Sequence, residues 1–367
     1  MSHQRPQTSS PSSSPADLPG YPTPATGKLP ERVWLAALIL FFLAPFCGEV
    51  LSTSTPPTQF FFDPVNLIFQ PALYGSGALL IREMVRRRGL AWSNLLLLGA
   101  AYGILEEALV TNTWFHSTAT LHILGIYGRA LGVNWLWALE LTAFHAVVSI
   151  TIPIVLVEAL FPGLARRPWL QTSGSCLFTA LLTSASLAGA IGWGFIVYAK
   201  TGYPHPPLIY LLAVLLATVA FILGIRLQFP PPTPARRGPP SLWRLRFLGL
   251  GSTVVFFIIV WLLPSLIPVA LVPFGLLVAL LIGLAVVLRR WSTVSYWGAA
   301  HRLALSSGVL GFFMLLAPLV EAAADRTVDA LLMLIIDVAL AIVLIRLAQR
   351  SILVIEIPGS MTLPGRL

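Results

Sequence analysis

Ten apolar runs, each close to the length of a membrane crossing, leave this chain little choice of fold. They lie at roughly 33–50, 64–82, 91–112, 133–161, 175–199, 207–226, 246–264, 267–288, 303–321 and 328–348. About 20 residues of helix cover the hydrocarbon core, and lipid obliges each run to satisfy its own backbone. The runs are continuous, whereas a barrel strand would alternate polar with apolar residues. The expected fold is therefore all-α: a polytopic integral membrane protein with about ten transmembrane helices. The composition agrees, with 57% hydrophobic residues, 10% charged residues and a mean hydropathy of +0.84, far from the balance of a water-soluble domain.

The charges orient the helices, because lysine and arginine gather in cytoplasmic loops. With ten spans, "REMVRRRG", "LARRPW", "RLQFPPPTPARRGPPSLWRLR" and "RRWSTVSYWGAAHR" all fall on the side of the two termini. Of the 23 lysines and arginines, only Arg129, Lys200 and Arg326 fall on the other side. The N- and C-termini are thus expected to be cytoplasmic, in a multi-pass protein of the cell membrane. The net charge of +9 is then a consequence of topology. It calls for the lipid bilayer as partner and for no nucleic acid. Residues 1–30 read as a disordered Ser/Pro-rich tail with no signal-peptide core, 31–226 as a front membrane region of about six spans, and 227–245 as a Pro/Arg-rich cytoplasmic loop. An apolar back region of about four spans follows at 246–350, then a C-terminal tail at 351–367.

Nearly all the intramembrane polar residues lie in the front region, and "YGILEEALVTNTWF" (102–115) concentrates them. An ionisable residue inside a span costs about 2.5–3.5 kcal/mol on insertion scales, so two adjacent glutamates ask for a function. On a helix Glu106 and Glu107 straddle one face about 100° apart. Two like charges this close do not both ionise cheaply in low dielectric, so the pair reads as an acid beside a base. The fourth run supplies partners: Asn134, Glu140, His145, Ser149 and Glu158. Counting 1.5 Å per residue, Glu140 starts at the depth of the pair, His145 is within reach once tilt is allowed, and Glu158 belongs near the cytoplasmic face. Asn134, His145 and Ser149 share one polar stripe with Ala138. Glu106, Glu107 and His145 are the candidate catalytic residues, with Asn134, Glu140 and Ser149 as candidate binding residues.

A glutamate pair on one membrane helix followed by a histidine on a later one resembles the CAAX-prenyl-protease and bacteriocin-processing (CPBP) family of intramembrane glutamate peptidases, over roughly residues 91–161. Glu106-Glu107 match the pair of its EExxxR motif, with Thr111 where the arginine would stand, and His145 with Ser149 gives HxxxS, a loose form of its HxxxN motif. The resemblance implies an intramembrane peptidase in which one glutamate takes a proton from water, the second tunes it, and His145 orients the water or donates to the oxyanion. Its substrate would be a membrane-associated peptide. Two further readings remain open: a proton-coupled membrane transporter using the same carboxylates, and a non-catalytic scaffold with a buried Glu/His clasp.

Other polar residues are read more plainly. Cys47 and Cys176 form no CxxC pair and no Cys/His set of zinc-site spacing, so they read as membrane-buried thiols, and no metal or cofactor is expected. Glu49, Gln70 and Tyr74, near the outer ends of the first two runs, either line the same outer cavity or are solvated at the interface. Asp337 is expected to hydrogen-bond a neighbouring helix. Trp114, Trp135, Trp193 and Tyr203 read as an interfacial belt, and His116 and His122 as loop residues.

Overall fold

Each apolar run forms a helix, since in lipid the helix alone satisfies every backbone group within one segment. A computed structural model describes residues 32–115, 125–201, 207–228, 240–292 and 297–355, except for the side chains at 193, 196–198, 200, 201 and 352–355. The expected N-terminal tail, most of the Pro/Arg-rich loop, most of the C-terminal tail, His116, His122, Tyr203 and the Trp193 side chain lie outside the described residues. Ten helices are long and apolar enough to cross a membrane: span 1 (Val33–Val50), span 2 (Pro64–Arg87), span 3 (Trp92–Val110), span 4 (Trp135–Leu160), span 5 (Thr172–Gly192), span 6 (Pro207–Arg226), span 7 (Leu242–Leu266), span 8 (Leu271–Ser292), span 9 (Ala299–Ala323) and span 10 (Thr327–Ser351).

The spans are not equivalent. Spans 3 and 4 are 67% and 72% buried within the protein, whereas spans 5, 6, 8 and 10 are each 11% buried. The two spans that carry the glutamate pair and the histidine therefore form the centre, and the four exposed spans turn leucine, valine and isoleucine outward to lipid. Spans 1 and 2 complete the inner group, packing Leu40, Ala44, Leu73 and Leu79 against Leu98 of span 3 and Ile154 of span 4. Spans 9 and 10 join it through Phe313 and Met333, which pack with Val50 and Phe144.

Among the described residues, five spans widen into a π-helical turn: Phe46–Val50 in span 1, Pro71–Gly75 in span 2, Leu105–Val110 in span 3, His145–Thr151 in span 4 and Ile258–Leu262 in span 7. Four of these turns adjoin or contain a proline, at Pro45, Pro71, Pro153 and Pro264. Proline removes one helical hydrogen bond and crowds the preceding turn, and a wider turn accommodates both. In span 4, where Pro153 lies two residues beyond the turn, the perturbation takes this form. The turn in span 3 has no proline, and it centres on Glu106 and Glu107.

One end of the bundle is rich in arginine. There Arg82 of span 2, 1% exposed, stacks 3.3 Å from the Trp169 ring centre and donates to Glu158 Oε1 of span 4 at 3.1 Å. Its remaining donors reach the carbonyls of Leu164, Ala165 and Arg167 at 3.1–3.2 Å. Arg86 adds a fork onto Glu158, at 2.8 and 2.5 Å. Glu158 thus lies where depth placed it, and serves as a clasp between spans 2 and 4. At the opposite end a two-residue hairpin, β1 (Arg129–Ala130) paired with β2 (Val133–Asn134), leads into span 4. Its central residues Leu131 and Gly132 both have positive φ, the geometry that matches strand twist.

Cys47 is buried within the bundle and Cys176 is exposed on span 5. Two expectations are corrected. Trp114 is buried, packed with Phe115 and with Ile104 and Ala108 of span 3, and so it does not join an interfacial belt. Asp337, 8% exposed, takes no hydrogen bond from a neighbouring helix through either carboxylate oxygen, since the side chains packed around that level of span 10 are apolar.

Candidate functional site

The π-helical turns of spans 1 to 4 each present a polar side chain to one buried place: Glu49, Tyr74, Glu106 with Glu107, and His145 with Ser149. A π turn adds a residue without a matching rotation, so it re-aims side chains that a regular helix would spread round its surface. Small residues let the helices close in. A Cβ at Gly103 would lie 3.0 Å from His145 Cβ, and one at Gly48 would lie 2.7 Å from Ser149 Oγ.

His145 is the hub. Its Nε2 lies 2.8 Å from Glu107 Oε1 and 2.9 Å from Glu106 Oε2, and its Nδ1 lies 3.0 Å from Ser149 Oγ. The Nε2 bond is made to Glu107, which leaves Glu106 Oε2 buried without a hydrogen-bond partner. The outward oxygens are held by hydroxyls. Tyr74 donates to Glu106 Oε1 at 3.0 Å, while Thr113, in a close contact, and Thr111, at 3.3 Å, donate to Glu107 Oε2. The Tyr74 and Tyr102 rings flank the imidazole at 5.8 and 6.4 Å, and the Tyr102 hydroxyl is buried without a partner.

The cluster extends toward the hairpin end. The Tyr74 hydroxyl also lies 2.5 Å from Glu49 Oε1, whose Oε2 accepts from Thr55 at 2.7 Å. Gln70 donates to Thr55 at 2.9 Å and to Asn66 at 3.3 Å, and Asn66 donates to Asp63 at 2.8 Å. A run of side-chain bonds therefore joins the half-buried Asp63 to the buried Glu106.

Of the residues singled out by sequence, the structure gathers Glu106, Glu107, His145 and Ser149. It does not bring in Asn134, whose Oδ1 caps span 4 by accepting from Trp137 N at 3.1 Å. Eleven residues of helix, about 16 Å at 1.5 Å per residue, separate it from His145. Glu140 is buried with Oε2 unpartnered, but no hydrogen bond joins it to the cluster. Five residues of regular helix separate Glu140 from His145, a rotation of about 140°, so equal depth did not mean a shared face. Of the two readings left open for Glu49, Gln70 and Tyr74, the structure takes the one in which they line the cavity of the site, whereas the parts of Thr55 and Thr113 were not foreseen from the sequence. Thr111 marks itself only as the residue that stands in place of the arginine of the resembled motif.

The sequence pattern of an uncharacterized membrane protein family matches residues 38–359, and so takes in all four spans of the site. A relative described as an uncharacterized protein, from Archaeoglobus fulgidus, is 28% identical over 162 residues. That similarity covers 41% of this chain and 48% of the relative, so it spans about half of that protein's length. No solved structure matches.

Proposed function

This chain belongs to that membrane protein family, and we propose that it is an intramembrane peptidase whose paired glutamates and histidine activate water against a peptide bond. The observation that carries the reading is the approach of two carboxylates to one imidazole nitrogen, Glu107 at 2.8 Å and Glu106 at 2.9 Å, where all three side chains are buried. A helix clasp needs one such partner, whereas water activation needs a base with a free lone pair beside a donor. Glu106 Oε2 has that lone pair.

In this reading Glu106 takes a proton from water, and the hydroxide so formed attacks the peptide carbonyl carbon. His145 donates to the resulting oxyanion, with Ser149 fixing the imidazole and Glu107 stabilising its charge. The C–N bond then breaks, and the proton held by Glu106 passes to the leaving amine. The charge asymmetry of the loops supports an orientation with both termini cytoplasmic in a cell membrane, and with it a site in the outer half of the bilayer. The substrate class is a membrane-associated peptide.

The run of bonds from Asp63 to Glu106 favours one other reading, a proton-coupled carrier, in which those groups relay protons to the carboxylate pair. The test is sequencing of new peptide N-termini in membranes of cells expressing wild type or Glu106→Gln at equal abundance. Peptidase activity gives ends in the wild type that the variant lacks. Identical sets of ends overturn the proposal.

A further inference from the structure

The geometry points to a binding site for a divalent transition-metal ion of the zinc class, formed by Glu106 Oε2, Glu107 Oε1 and His145 Nε2. These three atoms lie within 4.8 Å of one another, on side chains 2%, 7% and 2% exposed. The inference goes beyond the peptidase reading, because a bound ion would occupy the Glu106 lone pair and His145 Nε2 that the metal-free mechanism uses, and a water on the ion would then take the place of the water that Glu106 activates.

The proton count is the first argument. If Nε2 carries the imidazole proton, it satisfies one carboxylate oxygen and leaves the other, Glu106 Oε2, buried and unpartnered 2.9 Å away. If the proton sits on Nδ1 and is donated to Ser149, Nε2 turns a lone pair toward two acceptor oxygens. Three acceptors would then face one another in a buried place. A divalent cation resolves both cases, and two carboxylates neutralise its charge.

The surroundings are the second argument. Metal-binding histidines almost always have their other nitrogen held by a hydrogen bond, and ligating carboxylates are held in turn. All three ligands meet this condition: Ser149 holds His145 Nδ1, Tyr74 holds Glu106 Oε1, and Thr113 with Thr111 hold Glu107 Oε2. The inward atoms are the ones no hydroxyl claims. A tetrahedral site with bonds of about 2.0–2.2 Å has edges of about 3.3–3.6 Å, so Nε2 need part from each oxygen by only about half an ångström. Three protein ligands leave the fourth position for water. The Tyr102 hydroxyl, 5% exposed and unpartnered beside the imidazole, is a donor that such a water could use. No spacing motif marks the site because the ligands come from two helices, with Glu107 and His145 38 positions apart.

The test uses the full chain, purified in detergent with a tag free of histidine, stripped with chelator and dialysed against Zn2+. Metal analysis is expected to find one zinc per chain in the wild type and a loss of about 10–100-fold in affinity in Ser149→Ala, which removes only the group that holds the imidazole. His145→Ala should bind none. Should it fail to fold, Ser149→Ala and Thr113→Val decide. Replacement by Co2+ should give the visible absorption of a tetrahedral site in the wild type alone. No stoichiometric zinc in the wild type, or equal zinc affinity in wild type and Ser149→Ala, overturns the inference.

Discussion

Tyr74 should prove to be the joint between span 1 and span 3, and Tyr74→Phe isolates that role because it removes one hydroxyl and leaves the ring. The hydroxyl lies 2.5 Å from Glu49 and 3.0 Å from Glu106. Without it Glu49 keeps Thr55 as a partner, but Glu106 Oε1 has no other donor. The hydroxyl's single proton serves one carboxylate at a time, and hydrogen bonds inside membranes average ~0.6 kcal/mol and reach ~1.7 kcal/mol, so the loss is expected to be about 0.6–1.7 kcal/mol. The assay is reversible unfolding in mixed micelles, read as a double-mutant cycle with Glu49→Gln. Because the two changes act on one contact, their coupling should be about 1 kcal/mol. Changes that add within about 0.3 kcal/mol would show that the Tyr74–Glu49 contact carries no energy, and would refute this picture of the joint.

At the arginine-rich end, Glu158→Ala removes the carboxylate that both Arg82 and Arg86 bond and leaves the enclosed Arg82 only Glu83, at 4.0 Å, as a carboxylate, so stability in the same assay should fall by about 3–5 kcal/mol; a loss below about 1 kcal/mol would argue against a buried clasp. Gly48→Val should prevent spans 1 and 4 from closing, since even a Cβ there meets Ser149 Oγ at 2.7 Å. The variant should melt lower than wild type, whereas unchanged melting would show that the two spans are farther apart. Single cysteines at positions 87, 166, 236 and 290, in a background without the exposed Cys176, should be labelled only from the cytoplasm, and those at 120 and 202 only from outside. Labelling of position 120 from the cytoplasm would reverse the orientation.

The spans were legible because hydropathy over a 20-residue window is set by lipid and needs no knowledge of neighbours. Glu106, Glu107 and His145 were legible for a related reason: ionisable groups in lipid require partners, and few are available. Asn134 was misplaced by depth, since it caps span 4 about 16 Å along the helix from His145, and Glu140 by face, since five residues of regular helix turn it about 140° away. Pro153 signalled a perturbation in span 4, though its form, the wide turn at His145–Thr151, depends on packing against Gly99 and Gly103 of span 3, which only the fold supplies. Tyr74 and Glu49 stood near the ends of their runs, where interfacial solvation explains a polar residue equally well. The contacts of the Tyr74 hydroxyl with Glu49 and Glu106 follow from how closely spans 1, 2 and 3 approach, and no single-span pattern encodes that.

The central claim is that the Glu106–Glu107–His145 cluster activates water, and incorporation of isotopic oxygen tests it most directly. Purified wild type and Glu106→Gln would each be reconstituted with solubilised membrane proteins in water enriched in oxygen-18, after melting has shown that both are folded. The account predicts oxygen-18 in newly formed peptide carboxyl termini with the wild type and none with Glu106→Gln. Labelled termini absent from both, or equally abundant with both, would contradict it.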